Sequence, residues 1–551
     1  MSHVITRSCC NDASCLAVCP VNCIHPTADE PDFATAEMLY IDPAACIDCG
    51  ACVDECPVSA IVPDDKLDLA GNRFLDINAA YFTDHRSTGG KPVPAKRPAL
   101  AAGRQLRVAV IGAGPSAFYA AEELLRQPGV TVDMFDRLPT PYGLVRAGVA
   151  PDHAFTKRIE NVFAATAARE TFRFVLNTEI GTHISHHELQ ERYHAVLYAS
   201  GASTDNRLGL PQEDMAGSIA ATEFVAWYNG HPDFAEHQFD LRSPTAVIIG
   251  NGNVALDVAR ILASDPDRLA QTDIADHALD ALRASQVREV LVLGRRGVAQ
   301  AAYTNAEFAA LGDLPDVDVI IDPDDLTVDP ATAAAHAAGT LDSTIATKIA
   351  LAQEFSARST RSARRRIVIR YLLSPTTIVG ESTVTALRCT RNTFTDTGAV
   401  TATGSRLSIQ TGLLLRAVGY RGQPIAGLPF DDQRAIVPNS HGRVLIDGKP
   451  AHGVYVTGWI KRGPTGGIGM NRVCGRETAT AILSDFAAGL LNEPTLSCDD
   501  TPALAAARGA TVIAGTGWSR IDAREKALGR AQGRRRVKLV HRADLERAAR
   551  P

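Results

Sequence analysis

The pattern of apolar and polar positions splits the chain into an irregular start and a regular remainder. The first ~62 residues are short runs rich in Cys and Pro with almost no helical periodicity. At 107–111 the run RVAVI reads as a buried strand. It leads through a Gly-rich turn into SAFYAAEELLRQ, which is apolar at helical spacing. The same succession recurs at 246–262, where AVIIG precedes NVALDVARIL. Shorter strand-like runs stand at 196–200 (VLYAS) and 290–294 (VLVLG). Strands alternating with helices predict parallel, doubly wound sheets in three layers. The Ala-rich stretch 330–352 and Arg364–Arg366 are expected on exposed helix and loop, and residues 85–104, with Gly, Pro, Lys and Arg but no apolar period, read as a linker.

Length and charge refine this. At about 150 residues per domain, 551 residues suggest three to four folding units. The expected division is an iron-binding α+β head at 1–66, a linker at 67–104, a first nucleotide-binding segment at 105–203, a second nucleotide-binding domain at 204–410, and a return segment with a C-terminal tail at 411–551. Residues 1–66 carry two bases, Arg7 and Lys66, against eleven acids, whereas the rest has 54 bases against 51 acids. An acidic head on a slightly basic body predicts docking between them or with basic partners, not nucleic-acid binding. No run approaches the ~18–20 apolar residues of a membrane helix, and MSHVITRSCC lacks a signal-peptide core. A cytoplasmic, monomeric protein away from membranes is expected. Arg534–Arg536 and Lys538, near the end, read either as part of a docking surface or as a solvated helix, the latter slightly favoured.

Nine of the twelve cysteines lie between Cys9 and Cys56. Without an export route, such clustering points to metal rather than disulfides. Cys46-x2-Cys49-x2-Cys52-x3-Cys56-Pro57 has the spacing of the bacterial ferredoxin run, and Cys9-x2-Asp12-x2-Cys15-x3-Cys19-Pro20 repeats it with Asp12 at the second ligand position. Zinc sites more usually show paired CxxC knuckles or Cys/His mixtures. In two-cluster ferredoxins the Cys before Pro serves the other cluster. On that pattern Cys19, Cys46, Cys49 and Cys52 hold a 4Fe-4S cluster, leaving Cys9, Cys15 and Cys56 for a second. A carboxylate is a harder, weaker iron ligand than thiolate, so a 3Fe-4S cluster is the favoured state there. A second 4Fe-4S cluster completed by Asp12 or Cys10 is the alternative.

Gly112-x-Gly114-x-x-Ala117 follows a strand and opens a helix, with Asp136 ending the next strand. Such a turn brings pyrophosphate to a helix N-terminus, and the acid receives ribose hydroxyls. Gly250-x-Gly252-x-x-Ala255 repeats the turn, but its later strand ends in Arg295 and Arg296. Paired guanidiniums suit a 2′-phosphate, which selects NADPH and leaves the Asp136 site to FAD. In 455–469 (YVTGWIKRGPTGGIG) glycines precede an expected helix from about Asn471, whose N-terminal N–H groups would favour negative charge on a reduced flavin. Trp459 reads either as a ring packed near nicotinamide or flavin, or as a core residue.

From about 105 onward the chain resembles adrenodoxin-reductase-type ferredoxin–NADP reductases. The motifs are VIGAGPSAFYAAEEL (110–124), PTPYGLVRAGVAPDH (139–153), GNGNVALDVARIL (250–262), LGRRG (293–297), VGYRG (418–422) and GWIKRGPTGGIGMN (458–471). The head resembles seven-iron ferredoxins, although that family spaces its first two ligand cysteines further apart. The resemblance implies two Rossmann-like nucleotide-binding domains. It implies FAD contacts at Gly112, Ala113, Gly114, Ser116, Ala117, Asp136, Leu144, Ile180, Trp459, Gly466, Gly467 and Ile468. It implies NADP contacts at Asn251, Gly252, Asn253, Val254, Arg295, Arg296, Glu307 and Gly466, and a reaction-centre pair of His153 and Asp257. The expected activity is hydride transfer from NADPH to FAD, then single electrons to the head and on to an external ferredoxin or cytochrome P450-type acceptor. The rival readings are an electron-supply subunit like that of NADPH-dependent glutamate synthases and a non-catalytic redox sensor.

Overall fold

The computed structural model describes residues 2–85, 103–359 and 364–551. In the head, strand His3–Ile5 pairs antiparallel with Ile61–Pro63, and Ile24–His25 with Tyr40–Ile41. Two five-residue helices, Ser14–Val18 and Ala51–Glu55, carry the middle of each Cys run. Each follows a left-handed residue, Ala13 or Gly50.

The segment expected as linker from 67 onward is partly helix. Arg73–Asp84 forms three turns that bury Phe74, Ile77, Asn78 and Tyr81 against the head. The Asn78 side chain accepts from the Ile5 and Ile41 N–H groups (3.2 and 2.9 Å) and donates to the Ile5 carbonyl (2.8 Å). One buried amide thus ties both ribbons together, a role an apolar residue could not fill because those backbone groups would stay unpaired. Most of the linker read at 85–104 lies outside the described residues.

The body holds two large sheets. The first runs Asn439–Ser440, Arg443–Ile446, Lys449–Val456, Ala195–Tyr198, Leu106–Ile111, Val130–Asp136, Phe172–Leu176, and is parallel from Lys449–Val456 onward. The second is parallel throughout, in the order Ser218–Ala220, Leu413–Arg416, Thr245–Ile249, Glu289–Leu293, Arg365–Arg370, Val317–Ile321. Its central strands, Leu413–Arg416, Thr245–Ile249 and Glu289–Leu293, are apolar apart from one end residue each, as burial on both faces demands. A three-stranded antiparallel sheet, Leu373–Gly380, Val384–Phe394 and Val400–Gln410, is inserted before its last strand in the chain. The chain therefore visits the first sheet, then the second, then returns.

Three expectations are corrected here. Leu413–Arg416 pairs with Thr245–Ile249, so the return segment cannot begin at 411. Arg365 and Arg366 begin a strand between two others rather than a loop, whereas helices Pro330–Ala337 and Ser343–Ala357 do occupy the Ala-rich stretch. Arg534, Arg536 and Lys538 are buried, not solvated. Arg536 pairs with Glu525 (2.9 Å), Arg534 with Asp276 (2.5 Å), and Lys538 with Asp273 (3.2 Å) beside Lys157. Buried charge is tolerated only where it is paired, and each of these has its acid.

Among the described residues, no helix is long and apolar enough to cross a membrane.

Candidate functional site

Two turns anchor the body's chemistry. Gly112, at the end of strand Leu106–Ile111, has φ +103°, and a Cβ there would lie 2.5 Å from the Ala199 carbonyl oxygen. Only glycine meets both conditions. Gly114, before helix Pro115–Leu124, has open space where a Cβ would stand. Asp136 accepts from the Ala113 N–H (2.7 Å) and the Leu138 N–H (2.9 Å), which fixes its carboxylate at the turn. Gly143, just before Leu144, packs on Gly114, and Gly458 packs on Ser116. The 112–117 turn, Leu144 and the 458–471 segment are thereby drawn together, while Ile180 packs in the adjoining core with Ile460.

The second turn repeats the geometry. Gly250 has φ +115°, and a Cβ there would meet the Ala417 carbonyl oxygen at 2.2 Å. Asn251 accepts from the Tyr303 N–H (3.0 Å) and the Asn253 side chain from the Thr304 N–H (2.8 Å), so loop 302–307 lies along the turn. A cavity of ≈ 1330 Å³ is lined by Gly250–Val254, Arg295, Arg296, Glu307, His153, Tyr420, Trp459 and Gly466–Ile468. Trp459 is half-buried, donates to the Thr465 carbonyl and packs 5.1 Å from Tyr420, so it is a wall of this cavity rather than a core residue.

At the cavity floor lies a charge network only partly foreseen. His153 Nε2 is 3.6 Å from both Asp257 and Glu307. It is also 2.6 Å from Arg7 and 2.7 Å from Arg260. Arg260, fully buried, further grips Asp152 (2.5 Å) and Asp257 (2.7 Å). Two guanidinium donors facing one ring nitrogen require that nitrogen to be an acceptor, so the ring is neutral with its proton on Nδ1. Burial pushes the His153 pKa below its ordinary value, with Arg260 and Arg7 acting the same way. Burial would raise Glu307, but the Arg7 and Arg260 guanidiniums hold its carboxyl well below the usual carboxylate range. The ligand-type atoms of His153, Asp257 and Glu307 lie within 4.8 Å of one another. Two guanidiniums already neutralise these acids, which argues against a metal there. Arg260 could have been read from its place three residues after Asp257 on one helix face.

The head supplies the third part. A small cavity is lined by Cys9, Cys10, Cys15, Cys56 and Asp12, the residues expected around the first cluster. Cys52 lies within electrostatic reach of Cys19, Cys46 and Cys49, the second set. The two crossing-over cysteines receive matching N–H···S bonds, Cys23 N–H to Cys19 (3.4 Å) and Ala60 N–H to Cys56 (3.2 Å). Such donors stabilise thiolates bound to iron, so the residues present fit iron–sulfur clusters.

Asp12 is turned to the body. One carboxylate oxygen accepts from Arg472 (2.9 Å) and Ser14, the other from the buried Tyr119 hydroxyl (2.9 Å). The head docks through acids, as its charge suggests, with Glu37 on Lys348 (3.6 Å) and on the Asn305 N–H (2.6 Å). It also docks through its own cations, Arg7 on Glu307 and Arg73 on Asp313. The two backbones meet at Gly469, whose N–H donates to the Cys10 carbonyl (2.7 Å). A Cβ on Gly469 would stand 1.8 Å from the Asn11 carbonyl oxygen. Its φ of −66° suits alanine, so Gly469→Ala should leave the body folded and push the head away. Increased hydrogen exchange at 8–14 and 469–472, with the two sheets still protected, is the expected result.

Paired Gly-rich turns on parallel sheets, an Arg pair at the second, and a docked cysteine head define an FAD-dependent pyridine-nucleotide oxidoreductase carrying an iron–sulfur domain. Residues 106–295 match the pyridine nucleotide-disulphide oxidoreductase family, and residues 39–62 match the 4Fe-4S binding domain. Over 571 aligned residues the chain is 48% identical to a probable ferredoxin/ferredoxin–NADP reductase of Mycobacterium tuberculosis, covering 100% of this chain and 95% of that one. It is 37% identical to the mitochondrial NADPH:adrenodoxin oxidoreductase of Arabidopsis thaliana, over 82% of this chain and 96% of that one. The solved structure of Mycobacterium tuberculosis FprA in complex with NADPH superposes with a TM-score of 0.76 at 44% identity, covering 81% of this chain and 100% of that one. The chain belongs to the ferredoxin/ferredoxin–NADP reductase family.

Proposed function

We propose that this ferredoxin–NADP reductase delivers electrons from NADPH through FAD to its own docked head, and from there to an external ferredoxin or a cytochrome P450-type acceptor. The observation that carries this reading is the seating of loop Cys9–Asn11 against Gly469, in the same cavity as His153 and Gly466–Ile468. FAD would be held by Gly112–Ala117, Asp136, Leu144 and Gly466–Ile468, and NADPH by Asn251–Val254, Arg295 and Arg296. When bound, the flavin supplies the conversion of a two-electron hydride into single electrons. The N-terminus of helix Met470–Ala487 carries no side-chain cap, and its dipole favours negative charge there. His153, neutral and flanked by Asp257 and Glu307, orients groups at the cavity floor and carries a ring proton on Nδ1.

The division of domains follows from the same reading: the first sheet binds FAD, the second NADPH. Both oxygens of Asp12 are committed to Tyr119, Arg472 and Ser14, which supports a 3Fe-4S cluster on Cys9, Cys15 and Cys56 beside a 4Fe-4S cluster on Cys19, Cys46, Cys49 and Cys52. The test is the EPR spectrum of anaerobically purified protein before and after NADPH. A three-iron signal in the oxidised protein that disappears on adding NADPH is expected. Silence in the oxidised protein, then a reduced four-iron signal, would overturn the three-iron assignment. Absence of iron signals in both states despite bound flavin would overturn transfer to the head.

A further inference from the structure

We propose that Arg7 of the head is a positioning residue for the hydride-transfer site in the body, so that this site is complete only when the head is docked. The proposal rests on the assignment of His153 and Glu307 to that site. Arg7 is one of only two bases in residues 1–66, yet it serves none of the eleven acids beside it in sequence. It crosses the interface instead. Its Nε lies 3.1 Å from both Glu307 oxygens, one Nη lies 2.6 Å from Glu307 Oε2, and the same Nη lies 2.6 Å from His153 Nε2. That is a forked grip on a carboxylate, the arrangement that uses the planar geometry of arginine and that lysine reproduces only as a point charge.

The grip fixes two side chains at once. Glu307 stands on helix Asn305–Leu311 and His153 on the loop after Asp152, and Arg7 bridges them. The charged groups facing the ring are Arg7 from the head, Asp257 and Arg260 from helix Asn253–Ala263, Glu307, and Asp152 through Arg260. Lys157, on the following turn, is committed to Asp273. Arg260 Nη1 has no hydrogen-bond partner and lies 3.6 Å from Glu307. With Arg7 gone, Glu307 keeps its place beside the ring, 3.6 Å from that donor, but loses the fork that holds its carboxylate in one orientation. The loss also removes one cation from His153, so its ring should bind a proton more readily.

The test compares Arg7→Met, Arg7→Lys and Arg73→Ala in the holoprotein. Arg73 docks the same head on the Ala309 carbonyl (2.8 Å) and Asp313 (2.7 Å) without touching the cavity, so it controls for docking alone. The first readout is deuterium exchange at the His153 C2 carbon by mass spectrometry, which gives the ring's titration midpoint without turnover. The second is the rate of anaerobic flavin bleaching by NADPH. Arg7→Met should raise the midpoint by about one pH unit and slow bleaching about tenfold, most visibly on the acid side. Arg7→Lys should recover most of the midpoint and part of the rate. Arg73→Ala should change neither. Wild-type midpoint and bleaching in Arg7→Met, or equal changes in Arg73→Ala, would overturn the proposal. Failure of NADPH to bleach the wild-type flavin would instead overturn the functional reading, and the midpoint alone would still decide the place of Arg7.

Discussion

Replacing Arg295 and Arg296 together by alanine is expected to raise the KM for NADPH by roughly a hundredfold and to change that for NADH by less than about threefold. Both side chains are exposed at the mouth of the large cavity, just past strand Glu289–Leu293. Their backbone is pinned: the Arg295 carbonyl accepts from Asn392 (2.8 Å) and that of Arg296 from the Leu372 N–H (3.2 Å). A charge-assisted hydrogen bond contributes about 1.5–3 kcal/mol, and exposure places each arginine at the lower end. Two such contacts sum to about 3 kcal/mol, or two decades in affinity. Only the 2′-phosphate distinguishes the coenzymes, so the effect belongs to NADPH alone. Added salt should weaken NADPH binding in the wild type more than in the variant. Equal losses for both coenzymes would show that the pair merely shapes the cavity wall.

What the sequence made legible is what local chemistry dictates. Gly112 and Gly250 stand out because a positive φ and a carbonyl at van der Waals range leave no other residue possible, and the cysteine spacing stands out because iron requires it. What it hid depends on distant partners. Arg7 meets Glu307 across 300 residues and Arg472 meets Asp12 across 460, with no local pattern to announce either pair. Arg534, Arg536 and Lys538 look like a solvated run until Asp276, Glu525 and Asp273 are found beneath them. Helix Arg73–Asp84 was present in the pattern. Phe74, Ile77 and Tyr81 fall on one face, but the stretch adjoins a Gly- and Pro-rich segment and reads as part of it.

Cys15→Ser and Cys49→Ser are expected to interrupt the head at different points. The two cysteine sets are not equivalent toward the body. Cys9 and Cys10 line the large cavity with Gly466–Ile468 and Met470, and the Cys10 carbonyl receives the Gly469 N–H. Cys49 is exposed on the outward loop, beside Ile47 at 59% exposure and among Asp48, Asp54 and Glu55. The first site therefore faces the body and the second faces solvent. Cys15→Ser should lower NADPH-driven reduction of an external ferredoxin at least tenfold and also prevent the reduced signal of the second set from appearing when NADPH is added. Cys49→Ser should lower ferredoxin reduction as much, yet leave the first set's signal fully responsive to NADPH. Ferricyanide, a small oxidant that takes electrons from flavin directly, should be reduced by both variants at close to the wild-type rate, which shows that the body has kept its fold and cofactors. The informative result is the asymmetry. If Cys15→Ser still allowed NADPH to reduce the second set, the seating of Cys9–Asn11 against Gly469 would be a docking contact only, and electrons would have to enter the head by another face.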